Sequence, residues 1–102
     1  MQTLKLNDDL MKWVSEGKKH GTSRKGRRDI ALGALTLEAT NGTLPPIQVD
    51  VASVTYTRLK NTPTEVIQSE GYKNILELVT SLRRFYPDVT LEDEFTLVEW
   101  AK

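Results

Sequence analysis

The twelve residues from Gly17 to Arg28, GKKHGTSRKGRR, constrain the fold of this chain more than any other stretch. They include six lysines and arginines, one histidine and no acidic residue. An apolar core cannot bury such a segment, because an unpaired cation is costly to desolvate. The segment therefore has to lie at a surface or in a cleft, where it meets a polar or anionic partner or is simply solvated.

The length and the net charge of the chain limit the kind of ligand that this basic segment can bind. A chain of 102 residues is predicted to form one domain, spanning residues 1–102. Its net charge is zero, yet half of its fourteen basic residues fall between Lys12 and Arg28. A neutral protein with one basic segment favours a local anionic ligand over long nucleic acid.

Several classes of protein are disfavoured by composition. The chain has no cysteine and one histidine, so we expect no disulfide, no metal site and no cofactor. No apolar run approaches the roughly 18 residues of a membrane span, so no membrane partner is expected. The N-terminal residues MQTLKLNDDL lack the apolar stretch of a signal peptide, which predicts a cytoplasmic protein. A monomer is favoured, although the sequence leaves the oligomeric state open.

Local patterns predict the elements of the first half. Alternation indicates a strand over 4–6, and Asn7 or Asp8 can cap a helix that Gly17 ends. Gly33 precedes a strand over 34–39, and the turn at 40–43 leads to a long alternating strand over 47–59. A phase slip near Ala52 and Ser53 predicts a bulge in that strand.

The second half is predicted to be two helices and a closing strand. Thr62 is expected to cap a short helix that runs to Glu70, where Gly71 breaks it. A second helix follows over about 72–85, and a strand over 95–100. This order predicts a mostly antiparallel, closed or nearly closed sheet with flanking helices. Loops on one side of such a barrel can bring the basic segment near the Glu70–Gly71 break.

Three of these residues form a possible catalytic set. A lysine such as Lys19, with its pKa lowered by burial or by neighbouring cations, can deprotonate the Thr22 hydroxyl for attack on an acyl carbon. Glu70 can then pass a proton to the leaving nitrogen or activate water. The alternative is purely structural: a strand threonine, a solvated lysine and a surface acid. Of the nearby rings, His20 is predicted to be a loop residue touching ligand, and Tyr72 to lie at the mouth of the site.

The spacing Gly17-x-Lys19-x-x-Thr22-x-Arg24 resembles the opening of the ASCH domain family, whose fold is similar to the PUA domain. Gly33, the triplet Glu70-Gly71-Tyr72 and the pair Tyr86-Pro87 also agree with that family, so the resemblance covers essentially the whole chain. It implies an α+β fold: a PUA-like small β-barrel of about five to six mostly antiparallel strands with two to three flanking helices.

The resemblance also implies an activity. Small ASCH proteins include bacterial N4-acetylcytidine amidohydrolases, and the chain matches their catalytic positions. Thr22 would be the nucleophile, Lys19 its activator, and Glu70 the group assisting the amine or the hydrolytic water. Arg24 would orient the carboxylate or contact substrate. The implied partner is a modified nucleoside or nucleotide.

The departures from the family keep other functions open. Gly21 and Ser23 stand where apolar strand residues are expected, and Ala34 where an Asp is usual. The surplus cations favour an RNA- or nucleotide-binding module, or a ribonuclease, whose basic loop 18–28 contacts phosphates. The cations assigned to phosphates are Lys18, Lys25, Arg27 and Arg28. A third alternative is an interaction protein without catalysis.

Overall fold

The computed structural model describes residues 1–101, and within them five strands and three α-helices. The elements are β1 (Thr3–Leu6), α1 (Asp8–Ser15), β2 (Gly21–Lys25), β3 (Gly33–Ala39), β4 (Ile47–Arg58), α2 (Thr64–Ser69), α3 (Ile75–Leu82) and β5 (Glu94–Trp100), with a 3-10 turn at Leu59–Asn61. The predicted α+β class, with about five strands and two to three helices, is confirmed. No helix in the described part of the chain is long and apolar enough to cross a membrane.

The five strands form one curled sheet in the order β1-β3-β4-β5-β2. Only β1 and β3 pair in parallel, and the other three pairs are antiparallel. The sheet is a half-barrel rather than a closed one. Its two edges are β1 and β2, and Arg24 Nη2 of β2 donates a hydrogen bond of 2.6 Å to the Lys5 carbonyl of β1. A side chain therefore joins the two edges where no strand pairing does.

The two faces of the sheet carry separate apolar cores. Val98 and Trp100 of β5 pack with α1, whereas Phe95 and Leu97 of the same strand pack with α2 and α3, because side chains alternate along a strand. The α1 core consists of Leu6, Leu10, Met11, Leu35, Leu37, Ala39, Val51, Val98 and Trp100. The α2/α3 core consists of Leu59, Val66, Ile67, Leu78, Val79, Leu82, Val89, Phe95 and Leu97.

Some predicted boundaries are confirmed and others are wrong. Asn7 caps α1 by accepting from the Leu10 amide, and the register of β4 slips between residues 51 and 53, as the bulge prediction requires. Thr62 does not cap α2, because its hydroxyl donates to the Leu59 carbonyl instead and leaves Pro63 at the cap. The helix predicted over 72–85 is shorter, because Asn74 caps it and α3 ends at Leu82.

The middle of the predicted basic loop 18–28 is a strand and not a loop. Residues 21–25 form β2, which pairs antiparallel with β5 over the register from Gly21–Glu99 to Lys25–Phe95. The strand lacks apolar alternation because it is an edge strand, and its polar side chains line a cavity and the sheet rim. Its backbone hydrogen bonds come from β5, which lies some 70 positions later in the chain.

Candidate functional site

The C-terminal end of α1 determines the direction in which the chain continues to Lys19. Glu16 closes the helix, and Gly17 follows with a φ of +77°. The Gly17 amide donates to the Val14 carbonyl and the Lys18 amide to the Trp13 carbonyl. These two bonds form a Schellman motif, in which a glycine takes the left-handed conformation at low cost. The chain then reaches β2 within three residues, so the direction of Lys19 is set by two fixed elements.

The end of α2 repeats this motif. Glu70 caps the helix, and Gly71 has a φ of +98°. The Gly71 amide donates to the Gln68 carbonyl and the Tyr72 amide to the Ile67 carbonyl. Glu70 is therefore held at a rigid helix end rather than in a free loop.

These two helix ends meet each other. The His20 amide donates to the Ser69 carbonyl, and Gly71 lies directly against the Trp13 ring. Lys19 and Glu70 face each other across this contact, and each side chain is only 2% exposed. The predicted proximity of the basic segment and the Glu70–Gly71 break is thus observed.

A buried amine and a buried carboxylate form the centre of the site. Lys19 Nζ lies 4.0 Å from Glu70 Oε1 and donates a long hydrogen bond of 3.4 Å to the Glu70 carbonyl. The other carboxylate oxygen, Oε2, accepts a hydrogen bond of 2.6 Å from Ser23 Oγ. The ring of Tyr72 lies 5.7 Å from Lys19 Nζ, close enough for a cation–π contact.

Burial pushes both groups toward their neutral forms. Desolvation lowers the pKa of Lys19 to about 8, against the opposing attraction of Glu70 and with a further lowering from Arg24. Desolvation likewise raises the pKa of Glu70, although Lys19 and Ser23 both oppose that rise. Burial therefore favours an amine that can accept a proton and a carboxyl that can donate one.

A cavity of about 230 Å³ opens above this pair, at the seam between β1 and β2. Residues of both sheet edges, of α1 and of the α3 region line it. They are Lys5, Leu6, Asn7, Leu10, Lys19, Thr22, Ser23, Arg24, Thr40, Glu70, Tyr72, Leu78, Ser81, Leu82, Phe85 and Tyr86. Five of the predicted catalytic and substrate-binding residues, Lys19, Thr22, Arg24, Glu70 and Tyr72, are thus brought to one cavity.

Thr22 lines this cavity from the face of β2 opposite to Ser23. It pairs with Val98, whose side chain packs on the α1 face, whereas Ser23 pairs with Leu97 on the α2/α3 face. Thr22 is 5% exposed, and within residues 1–101 neither Lys19 nor Glu70 hydrogen-bonds to its hydroxyl. The hydroxyl that contacts Glu70 is that of Ser23.

Arg24 reaches across the mouth of the cavity to β1. Its Nη2 binds the Lys5 carbonyl, while its buried Nε has no hydrogen-bond partner among the described residues. Burial lowers the pKa of Arg24, and the nearby Tyr86 hydroxyl opposes that effect. A buried N–H without a partner is uncommon in folded proteins, so the Arg24 guanidinium is only partly satisfied by its bond to β1.

The remaining predicted binding residues lie outside the cavity lining. His20 is half-buried and held by backbone bonds, and the other four are engaged elsewhere. Lys18 pairs with Glu16 at 3.6 Å, Lys25 pairs with Asp93 at 3.5 Å, Arg27 stacks over the Tyr56 ring at 3.9 Å, and Arg28 Nε donates to the Lys25 carbonyl.

A wider groove between α1 and α3 adjoins the cavity without reaching Lys19, Glu70 or Thr22. Its volume is about 770 Å³, and it shares Leu10, Tyr72 and Ser81 with the cavity. The Tyr72 hydroxyl and Ser81 Oγ, 2.6 Å apart, lie where the two spaces adjoin. The charged groups along the groove are Asp9, Glu16, Glu77, Lys12 and Arg84, so acids outnumber bases.

Sequence reasoning assigned no role to Ser23, Ser81 or Tyr86, all of which line the cavity. For Ser23 a signal was present, because a polar residue stands where an apolar strand residue is expected. Ser81 and Tyr86 carry no comparable pattern. Within residues 1–101 no group of three His, Cys, Asp or Glu side chains is arranged to hold a metal ion.

Comparisons with known proteins identify the fold. No family model and no curated protein matches the chain. Among solved structures, the ASCH domain from Lactobacillus crispatus has a TM-score of 0.77 at 12% identity, covering 97% of this chain and 78% of that one. A DUF984 protein from Enterococcus faecalis has a TM-score of 0.69 at 13% identity, with 98% and 78% covered. A mutant ASCH protein from Zymomonas mobilis has a TM-score of 0.69 at 15% identity, with 98% and 66% covered.

These similarities confirm the resemblance to ASCH domains at the level of the fold. The chain has the α+β, PUA-like architecture that the resemblance implied. At these identities the comparison concerns the path of the backbone. What the cavity does has to be argued from its own side chains.

Proposed function

We propose that this chain is an amidohydrolase that removes the acyl group from N4-acetylcytidine-type modified nucleosides. The observation that carries the proposal is the buried Lys19–Glu70 pair beside Thr22 at one cavity. These are the positions that match the ASCH family's amidohydrolases, and their environment suits the chemistry. A lysine with a pKa of about 8 is roughly one-tenth neutral at pH 7, enough to act as a base.

The first half of the reaction would form an acyl-enzyme. Neutral Lys19 takes the proton of the Thr22 hydroxyl as its oxygen adds to the acyl carbon. The carbon–N4 bond then breaks, and protonated Glu70 gives its proton to N4, which leaves as the amine of cytidine. The raised pKa of Glu70 favours the protonated form that this step needs. Such contacts commonly tighten when substrate binds, so the lack of a Lys19–Thr22 hydrogen bond does not count against them.

The second half would return the enzyme to its starting state. Glu70, now a carboxylate, takes a proton from water as the water oxygen adds to the ester carbon. The bond to the Thr22 oxygen breaks, and Lys19 returns the proton to that oxygen. The products are the free acid and the nucleoside, and both ionisable groups recover their original protons.

The cavity suits a small substrate. A volume of about 230 Å³ is below the roughly 300–1,000 Å³ of pockets for drug-sized ligands. It accommodates an acylated base, with the sugar toward the opening, more readily than several nucleotides. Arg24 and Tyr86 line the same cavity and are the polar side chains proposed to contact the base.

The alternative, an RNA- or nucleotide-binding module, draws support from the exposed Arg27 and Arg28. Other observations count against it. Lys18 and Lys25 are already paired with acids, and the groove beside the cavity is lined by more acidic than basic groups. The groove therefore offers a polyanion no excess of positive charge.

The deciding experiment is hydrolysis of N4-acetylcytidine by the purified protein, beside Lys19→Ala and the matched surface variant Lys73→Ala. We expect cytidine to be released by the wild type and by Lys73→Ala, and not by Lys19→Ala. Equal release by Lys19→Ala would contradict the proposed mechanism. No release by any of the three would contradict the activity, and RNA binding would then be measured.

A further inference from the structure

The Ser23 hydroxyl occupies a position that the proposed mechanism does not use. Ser23 lies on β2 with 5% of its surface exposed, and its Oγ is 2.6 Å from Glu70 Oε2. Thr22, its neighbour, faces the other side of the strand. The two adjacent hydroxyls are therefore separated by the alternation of the strand, and only Ser23 meets the carboxylate.

Glu70 depends on this contact. Among residues 1–101, the Ser23 hydroxyl is the one side-chain group within hydrogen-bond distance of the carboxylate, because Lys19 Nζ remains 4.0 Å from Oε1. A buried carboxylate without a hydrogen bond is costly and free to rotate. With Oε2 held by Ser23, the other oxygen stays directed toward Lys19.

We propose that Ser23 is a positioning residue, which holds the Glu70 carboxyl group in the orientation needed to exchange protons with the substrate. This inference rests on the proposed function. Ser23 does not itself bond to the substrate or carry the acyl group. It acts through Glu70. Ser23 stands at a strand position where the resemblance to ASCH domains leads us to expect an apolar residue.

The proposal has a defined electrostatic consequence. The groups that bear on the Glu70 carboxylate are Lys19, Ser23 and the β5 carboxylate of Glu99, with Tyr72 and Arg24 also nearby. The Ser23 hydroxyl donates, which stabilises the charged form and holds the pKa of Glu70 down against burial. Removing that hydroxyl should raise the pKa of Glu70, so that Glu70 stays protonated to a higher pH.

The test uses two variants of Ser23. Ser23→Ala removes the hydroxyl, and Ser23→Thr retains it. Ser15→Ala is the control, because the Ser15 hydroxyl lies outside the cavity and donates to the Lys12 carbonyl of α1 rather than to a group that acts on Glu70. The titration of Glu70 is followed by NMR on carboxyl-labelled protein, which needs no substrate. We expect a raised Glu70 pKa in Ser23→Ala, and values near wild type in Ser23→Thr and in the control.

Kinetics give the second readout. We expect kcat to fall about ten- to a hundredfold in Ser23→Ala, with KM little changed and the pH profile moved upward. Recovery in Ser23→Thr would support a positioning role. An unchanged Glu70 titration, or an acyl group trapped on Ser23 itself, would overturn the proposal. If the wild type fails to hydrolyse the nucleoside, the proposed function fails, while the NMR titration still tests the Ser23–Glu70 coupling.

Discussion

Gly71 packs against Trp13 so closely that no side chain fits between them. A β-carbon at position 71 would lie 2.8 Å from Cε3 and 2.9 Å from Cζ3 of the Trp13 ring, and 3.3 Å from the Lys18 carbonyl. The same residue has a φ of +98°, a conformation that disfavours every other residue type. Through this contact the end of α2 is held against the end of α1, and Glu70 against Lys19.

Gly71→Ala should therefore destabilise the protein by about 2–5 kcal/mol, the sum of a left-handed conformation and an overpacked contact. Gly17→Ala is the matched control, because Gly17 closes α1 in the same motif with open space around it. It should lose only about 1–2 kcal/mol. Urea unfolding of both variants measures the difference, and equal losses would show that the contact with Trp13 contributes nothing.

Thr22→Ala should lower kcat for N4-acetylcytidine by about a thousandfold or more while leaving the fold intact, because it removes the proposed nucleophile. Thr22→Ser keeps a hydroxyl at the same place and should retain much of the activity. Initial rates together with circular dichroism check both variants. Loss of the folded spectrum in Thr22→Ala, or substantial activity in it, would remove Thr22 from the nucleophile's role.

The pH dependence of kcat/KM should report the loss of a proton from Lys19. Because Lys19 has to be neutral to act as a base, and its pKa is about 8, activity should rise about tenfold per pH unit below that value. At high pH activity should fall again, where Glu70 loses the proton that it has to give to N4. The Glu70 carboxylate raises the pKa of Lys19, so in Glu70→Gln the rising limb should move to lower pH.

Glu70→Gln should also lower kcat more than it changes KM, since the proposed proton donor is lost. Steady-state rates from about pH 6 to 10 test both expectations, and the apparent values belong to the coupled pair. If the acidic side of the kcat/KM profile lies at the same pH in Glu70→Gln as in the wild type, the titrating group is not Lys19.

Salt should separate hydrolysis of a nucleoside from RNA binding. A nucleoside has no phosphate, so kcat/KM should change less than about twofold between roughly 50 and 200 mM NaCl. A module contacting several phosphates would lose about a thousandfold in affinity over that range. A steep loss of RNA affinity with salt, together with absent hydrolysis, would favour the binding module.

Local signals in the sequence were enough for much of the fold. The Asn7 cap, the slip in β4 near Ser53 and the helix break at Gly71 were predicted because each depends on residues a few positions apart. The resemblance of the segment from Gly17 to Arg24 to ASCH domains also implied a PUA-like fold, which the solved neighbours confirm. The cap predicted at Thr62 was wrong, because its hydroxyl donates to the Leu59 carbonyl in the preceding turn.

The sequence by itself determined the chemical groups that the chain carries and the ends of most of its helices and strands. Only the tertiary structure decided that residues 21–25 form a strand, because their backbone partners lie in β5. It also decided that Lys19 is buried and that Ser23, rather than Thr22, meets Glu70, 47 positions away. These outcomes depend on which distant segments remove water from a side chain and which face of a strand it occupies, and neither is encoded in the neighbouring residues.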